Sequence, residues 1–377
     1  MKVVVAPGSY KGSLTPSQAA TAMARGVLRA APGATVTALP MADGGEGTVQ
    51  ALVDATGGCL RLGEVTGPLG QPVRAAFGLA PDGATAYIEM AAASGLTLVP
   101  EAQRSPLTAS TYGTGELIRA ALDAGCRRLI VGIGGSATND GGAGALQALG
   151  LRILDAGGSE VGAGGGELVR AVRLDAGGLD PRLARVEITV ACDVDNPLCG
   201  PQGAAAVFGP QKGATPEVVG RLDQALAHWG DLLRRDLGRD VAALPGAGAA
   251  GGLGAGLLAL GARLRPGIEL VMAACDLPGK LAGADLLLTG EGRIDFQTAH
   301  GKTPVGVARA ARVLGVPVIA IAGGLGPGYA DVYAAGIDAC LSLVSGPMPL
   351  AQAMAEGEAL LAAAAETAVR IFSLPGR

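Results

Sequence analysis

The sequence predicts an α/β protein made of two α/β domains, and three observations carry the prediction. Short apolar runs alternate with helical patterns along most of the chain. The 377 residues exceed one ordinary core and suit two domains of roughly 150 to 200 residues each. A stretch from about Leu60 to Met90 departs from the alternation, its short runs cut by Gly67, Pro68, Gly70, Pro81, Asp82 and Gly83.

Taken in order, Lys2 to Ala6 is an apolar β run, and a helix is expected from Ser17 to Ala31. A second strand, Thr35 to Leu39, leads to a helix after Gly47. The turn-rich stretch reads as antiparallel hairpins. Strands follow at Leu129 to Ile133, Val186 to Ala191, Asp285 to Thr289, Val316 to Ala322 and Cys340 to Val344. Helices are expected at Thr303 to Leu314 and Leu350 to Phe372. Apolar strands alternating with helices indicate largely parallel sheets. A Gly/Ala-rich stretch, Leu244 to Gly256, precedes the last βα units. The expected layout is discontinuous. Residues 1–60 and 280–377 form a Rossmann-like domain, and 61–279 form a mixed α/β domain inserted between them.

Composition excludes several classes. Hydrophobic residues make up 49% and charged residues 16%, so a large core forms and disorder is not expected. The smoothest apolar stretch, Pro245 to Ala262, is interrupted by Gly too often to make a bilayer span. The chain opens on Val3-Val4-Val5 without a secretory pattern, and a cytoplasmic protein is expected. Net charge is −4 with no basic block, which argues against nucleic acid. The six cysteines include no CxxC and there are two histidines. A zinc cluster, a disulfide framework and a histidine-based triad are all disfavoured. Lysines number only five, yet Lys11, Lys212 and Lys302 each adjoin a Gly. A compact ammonium in a Gly-rich turn suits phosphate.

The chemistry should sit where strands end. Five strand ends run into Gly-rich loops with polar or charged residues: Ala6 to Ser13, Met41 to Gly47, Gly132 to Gly142, Ala191 to Asn196 and Thr289 to Asp295. Ligands of open α/β sheets bind beyond the carboxyl ends of the strands. Gly permits close backbone approach, and free N–H groups there accept a phosphate. Two motif matches fail on inspection. Gly132-Ile-Gly134-Gly-Ser-Ala137, with Asp155 at the ribose spacing, fits a dinucleotide fingerprint but runs into Asn139-Asp140, a charge in the pyrophosphate path. Gly301-Lys302-Thr303 ends like a P-loop, but Phe296 stands where the first Gly belongs. The acids Asp43, Glu46, Asp140, Asp193, Asp195, Glu291 and Asp295 all lie in these loops. Singly, each reads equally as a cap or turn residue. Together with anion-binding loops and Lys they form the parts list of phosphoryl transfer: carboxylates for Mg²⁺, a cation for the transferring charge and a base for the hydroxyl proton.

These segments resemble the type 1 glycerate kinases over essentially the whole chain. The resemblance rests on Ala6-Pro-Gly-Ser-Tyr-Lys11-Gly-Ser-Leu, Pro40-Met-Ala-Asp43-Gly-Gly-Glu46-Gly-Thr and Gly113-Thr-Gly-Glu-Leu-Ile118. It continues in Gly132-Ile-Gly-Gly-Ser-Ala-Thr-Asn139-Asp140-Gly-Gly, Ala191-Cys-Asp193-Val-Asp195-Asn196-Pro-Leu and Phe208-Gly-Pro-Gln-Lys212-Gly-Ala. Gly290-Glu291-Gly-Arg293-Ile-Asp295-Phe-Gln297-Thr and Gly301-Lys302-Thr-Pro complete it. One departure is Gly8-Ser9-Tyr10, where the family commonly has Asp, Ser and Phe. The resemblance implies two α/β domains and Mg²⁺-dependent transfer of the ATP γ-phosphate to D-glycerate, mainly giving 2-phosphoglycerate.

On that basis Lys11 is expected to contact a phosphate or the glycerate carboxylate. Asp193 and Asp195 serve as catalytic base or metal ligands, the two roles not separated. Asp43 and Glu46 hold Mg²⁺ or substrate hydroxyls. Arg293 pairs with the substrate carboxylate beside Asp295. Gly134, Gly135, Ser136, Asn139, Lys212 and Glu291 meet the nucleotide, and Asp140 lies near the metal. A homodimer is the one assembly considered. Two rivals are retained: a non-catalytic sensor of a sugar acid, and a nicotinamide-dependent dehydrogenase.

Overall fold

The structure, a computed structural model, describes residues 1–42, 44, 45, 47–300 and 302–374. The chain divides into two compact units. The first comprises residues 1–43, 50–58 and 268–377, and the second 44–49 and 59–267. In chain order the strands are β1 (Lys2–Val5), β2 (Thr35–Ala38), β3 (Cys59–Thr66), β4 (Pro72–Leu79), β5 (Thr85–Glu89), β6 (Arg128–Gly132), β7 (Arg152–Leu154), β8 (Arg173–Asp175), β9 (Glu187–Ala191), β10 (Arg263–Arg265), β11 (Leu286–Ile294), β12 (Val318–Leu325) and β13 (Ala339–Ser342).

The first unit holds a fully parallel sheet in the order β13-β12-β11-β1-β2. Val3, Val4 and Val5 of β1 are wholly buried, as expected of a parallel strand covered on both faces. The helix Pro16–Ala30 begins with a capping box, in which Thr15 and Gln18 each accept the other's backbone N–H. Its buried face, with Ala19, Met23 and Val27, joins Val3, Leu286, Ile321 and Leu361 in one core.

The second unit holds a mixed sheet in the order β10-β9-β6-β5-β4-β3. Strands β5, β6, β9 and β10 run parallel, and β3–β4–β5 are antiparallel hairpins, as expected for the turn-rich stretch. Strands β7 and β8 make a separate antiparallel pair. The long helix Pro216–Leu237 starts at the Thr215 cap with Pro216 in its first turn and stops at Gly238 in the left-handed conformation. It packs Leu222, Leu226, Trp229 and Leu233 into a second core.

Two elements differ from expectation. The segment after Thr289, read as a Gly-rich loop, is strand: β11 continues to Ile294 and pairs with β12 through Glu291↔Ala322 and Arg293↔Gly324. The glycines serve backbone approach here. A Cβ on Gly290 would lie 1.9 Å from the Ile321 carbonyl oxygen, and one on Gly323 would lie 2.4 Å from that of Gly292. The helix expected from Leu350 to Phe372 is two, Leu350–Ala355 and Gly357–Phe372. The Ser13 hydroxyl donates to the Met354 carbonyl at 2.7 Å, and a Cβ on Gly357 would meet that hydroxyl at 2.5 Å. The turn after β1 therefore sits at the break.

Candidate active site

In the first unit the sheet order changes direction between β1 and β11. From β1 the chain moves outward to β2, and from β11 it moves the other way to β12 and β13. The crevice at such a switch point receives ligands in open parallel sheets. It is lined by the turn after β1 and the end of β11. The turn is closed on itself by Tyr10 N–H to Leu14 O at 2.9 Å and Ser13 N–H to Tyr10 O at 2.8 Å. Gly8 donates to the Gly290 carbonyl at 2.8 Å, tying the turn to β11. Lys11 stands exposed at the tip, and its ammonium bonds no other described residue.

Along β11 the strand places alternate side chains on one side. Arg293 is exposed, its Nε lying 3.4 Å from Asp295 Oδ2, and Lys302 Nζ is 4.0 Å from Asp295 Oδ1. The Thr298 hydroxyl accepts from Asp295 N–H and donates to Glu291 Oε1 at 2.7 Å. Glu291 and Arg293 share one face of β11, and Gly292 on the other face lets the Lys11 turn approach, the Lys11 backbone nitrogen lying 3.4 Å from where a Gly292 Cβ would be. Tyr10 is buried, and its hydroxyl donates to Ile321 O at 2.6 Å. Burial, then the neighbouring Glu291 charge, pushes its phenol well above the usual range.

In the second unit, neighbouring parallel strands β6 and β9 bring two expected loops to one edge, with Gly132 opposite Ala191. Past β6, Gly135 is exposed, Gly134 is half-buried with its N–H donated to Gly44 O at 3.3 Å, and Ser136 is nearly covered. Asn139 and Asp140 are 0% exposed. The Asp140 carboxylate accepts from Thr111 N–H and hydroxyl, both at 2.8 Å, and from the N–H groups of Gly142 and Gly144 at 3.2 Å. Burial raises its pKa against these bonds. The carboxylate is thus enclosed by donors from Thr111 and from its own loop. Lys212 is likewise interior, 1% exposed, and donates to Ser136 Oγ at 2.6 Å and Thr138 O at 2.7 Å. Burial lowers its pKa to about 7, against the pull of Asp140. The Asn139 amide and the Thr138 hydroxyl are buried without hydrogen-bond partners, so they are the loop's unsatisfied polar groups.

Past β9, Asp193 and Asp195 are both exposed. Asp193 Oδ1 accepts from Gly267 N–H at 2.9 Å, and Asp195 bonds no other described residue. No group of three or more His, Cys, Asp or Glu able to hold a metal occurs among the described residues. Mg²⁺ does not require one, because it is commonly held by one or two carboxylates together with substrate phosphates and water. Asp193 and Asp195 fit that pattern. Asp43 and Glu46 lie outside the described residues.

Sequence reasoning missed two supports, Glu89 and Thr111. Glu89 ends β5 and accepts from the N–H groups of Gly47 and Val49, fixing the segment after Glu46. A carboxylate closing the apolar run Ala86-Tyr-Ile was its available signal. Thr111, which holds Asp140 and accepts from Ala145 N–H at 3.0 Å, carried no local signal. Trp229 is wholly buried, and its indole N–H donates to Gly141 O at 2.9 Å.

Comparison with known proteins places the chain by family. Residues 3–373 match the model of the glycerate kinase family. A glycerate kinase of Bacillus subtilis is 58% identical over 94% of this chain and 93% of its own. A protein named glycerate 2-kinase in Escherichia coli is 52% identical over 92% of this chain and 91% of its own. The crystal structure of a protein assigned as glycerate kinase 2 from Salmonella typhimurium LT2 superposes with a TM-score of 0.90 at 52% identity, covering 98% of both chains. With the motifs, the two sheets and near-full-length identity in agreement, the chain belongs to the glycerate kinase family.

Proposed function

We propose that this glycerate kinase transfers the γ-phosphate of ATP to the C2 hydroxyl of D-glycerate, giving 2-phosphoglycerate and ADP. The observation that carries the reading is the pairing of β6 with β9, which sets a Gly-rich loop, exposed at Gly135, beside two exposed carboxylates. Backbone N–H groups of that loop, the exposed Gly135 first among them, donate to the nucleotide phosphates. When bound, Mg²⁺ neutralises the charge of those phosphates, and Asp193 and Asp195 would hold it. Asp193, already oriented by Gly267, is the steadier ligand. Asp195 takes the hydroxyl proton, the work of a general base. In the first unit, Arg293 offers a planar fork to the glycerate carboxylate, and Lys11 supplies a compact cation for an anionic oxygen. Asp295 steadies Arg293 at 3.4 Å, and Glu291 and Asp295 complete the wall of the site. The division into domains at 1–60 with 280–377 and at 61–279 is carried with this reading, and two compact units of similar but not equal bounds support it.

A cytoplasmic enzyme is consistent with six free thiols and with the absence of any described helix long and apolar enough to cross a membrane. A homodimer is the assembly carried with this reading, and light scattering should give twice the chain mass of 36.9 kDa. ADP release with D-glycerate, Mg²⁺ and ATP, followed by phosphorus NMR of the product, tests the reaction. Glycerate-dependent ADP with a single 2-phosphoglycerate signal is expected. A 3-phosphoglycerate signal would overturn the regiochemistry, and no ADP above the glycerate-free control would overturn the substrate.

A further inference from the structure

We infer that Lys212 is a positioning residue for the nucleotide: it holds the Gly134–Asn139 loop in its anion-accepting shape from inside the second unit and does not touch the nucleotide. This rests on the reading that the loop receives phosphates. Family motif and Lys–Gly context make Lys212 a nucleotide contact, but its position does not allow one. With 1% of its surface exposed, it has no face to offer a ligand.

Its ammonium instead reaches the loop from a separate element, the short turn Pro210–Lys212 that follows the helix Ala204–Phe208. It bonds the Ser136 hydroxyl and the Thr138 carbonyl, two points two residues apart on one loop. The anchoring end is itself fixed. Lys212 N–H donates to Gly209 O at 2.9 Å, and Gly213, with φ +91°, has the Arg104 carbonyl 2.7 Å from its Cβ position. A pin so mounted sets the height of Ser136 above β6 and leaves the exposed Gly135, just before it, with its N–H unbonded to any described residue.

The choice of lysine for this place is costly. An ammonium buried without a carboxylate partner is strongly disfavoured, and no ion pair to Lys212 exists among the described residues. The depressed pKa reports the same cost. A neutral side chain would fill the space more cheaply, so the extra donors and reach of lysine serve the loop rather than the core.

The test combines Mg-ADP titration, steady-state kinetics and hydrogen–deuterium exchange on the full-length enzyme. In the wild type, Mg-ADP should protect residues 134–139 from exchange. In Lys212→Met the same amides should exchange faster without ligand. Mg-ADP affinity should fall, and the ATP KM rise, at least tenfold, while the glycerate KM stays within twofold. No protection of the loop in the wild type removes the phosphate reading itself. Protection in the wild type with unchanged Mg-ADP affinity in the variant overturns the role of Lys212 alone. Weakened affinity with unchanged exchange of the free loop assigns direct contact and also overturns positioning. If Lys212→Met does not fold, Lys212→Gln, which keeps a neutral donor, should fold and bind Mg-ADP less tightly than wild type. Wild-type affinity and loop exchange in that variant would sink the inference.

Discussion

Asp195 and Arg293 both stand in solvent, so replacing either tests chemistry at little cost to the fold. Asp195→Asn keeps the shape and removes the proton acceptor. Turnover should fall by about 10²–10⁴-fold with an unchanged melting temperature, and near-normal turnover would strike Asp195 from the mechanism. Arg293→Ala should raise the glycerate KM about tenfold or more, as expected for a lost charge-assisted bond. The ATP KM should stay near its original value, and a rise in the ATP KM alone would move Arg293 to the nucleotide. Exposure separates these residues from Asp140 and Lys212, although all four sit in equally polar, Gly-rich stretches of sequence. Residue type and spacing marked all of them as chemical. Only burial separates the two exposed side chains from the two enclosed ones.

The glycines of β11 and β12 show the same division at the level of elements. Adjacent glycines after a strand ordinarily mean a turn, and the segment after Thr289 was legible only as one. Pairing with β12 converts it to strand, because two Cβ-free stretches can lie closer than side chains permit. Gly290→Ala should therefore cost more than an ordinary strand substitution, about 3 kcal/mol or more by overpacking against backbone, read as a lower urea midpoint. A loss below about 0.5 kcal/mol would mean that β11 and β12 separate easily. The Gly/Ala-rich stretch carries a second example. Ala250, Gly251 and Gly252 all adopt left-handed conformations inside the helix Ala249–Ala259. Gly251 has the Thr138 carbonyl 2.0 Å from its Cβ position, and Gly141 N–H donates to Gly251 O at 2.9 Å. This turn thus backs the loop that carries Asn139. Ala250→Gly should relieve the strain at the one non-glycine position. A stability gain of roughly 0.5–1 kcal/mol is expected, and a net loss would show that the Ala250 methyl matters more than its φ.

For the molecule as a whole, buried titratable groups set the response to pH. Lys212 has a folded pKa near 7 against an ordinary 10.5. Between these values the unfolded chain holds more protons than the native one, so stability rises with pH through that window, by up to roughly 1.4 kcal/mol per unit. Asp140 acts with the opposite sign at low pH. Its raised pKa makes a contribution that is present below the ordinary carboxylate range and lost as pH rises through the folded value. Urea unfolding at pH 7.5 and 9.5 should show the wild type gaining stability relative to Lys212→Met. Parallel profiles would mean that Lys212 does not titrate in this window.

The α/β class, the parallel strands, the hairpins near residues 60–90 and the family itself were determined by sequence alone. Periodicity and long motifs are local properties, and they survive without coordinates. Tertiary structure alone decided that Asp140 and Lys212 lie inside, that β11 runs through its glycines and that Glu89 and Thr111 support the loops. Each of these depends on which distant segment packs against the residue. Thr111 meets Asp140 across 29 positions and Lys212 meets Ser136 across 76. Burial and partnership at such separations are created by the fold, and no window of sequence contains them.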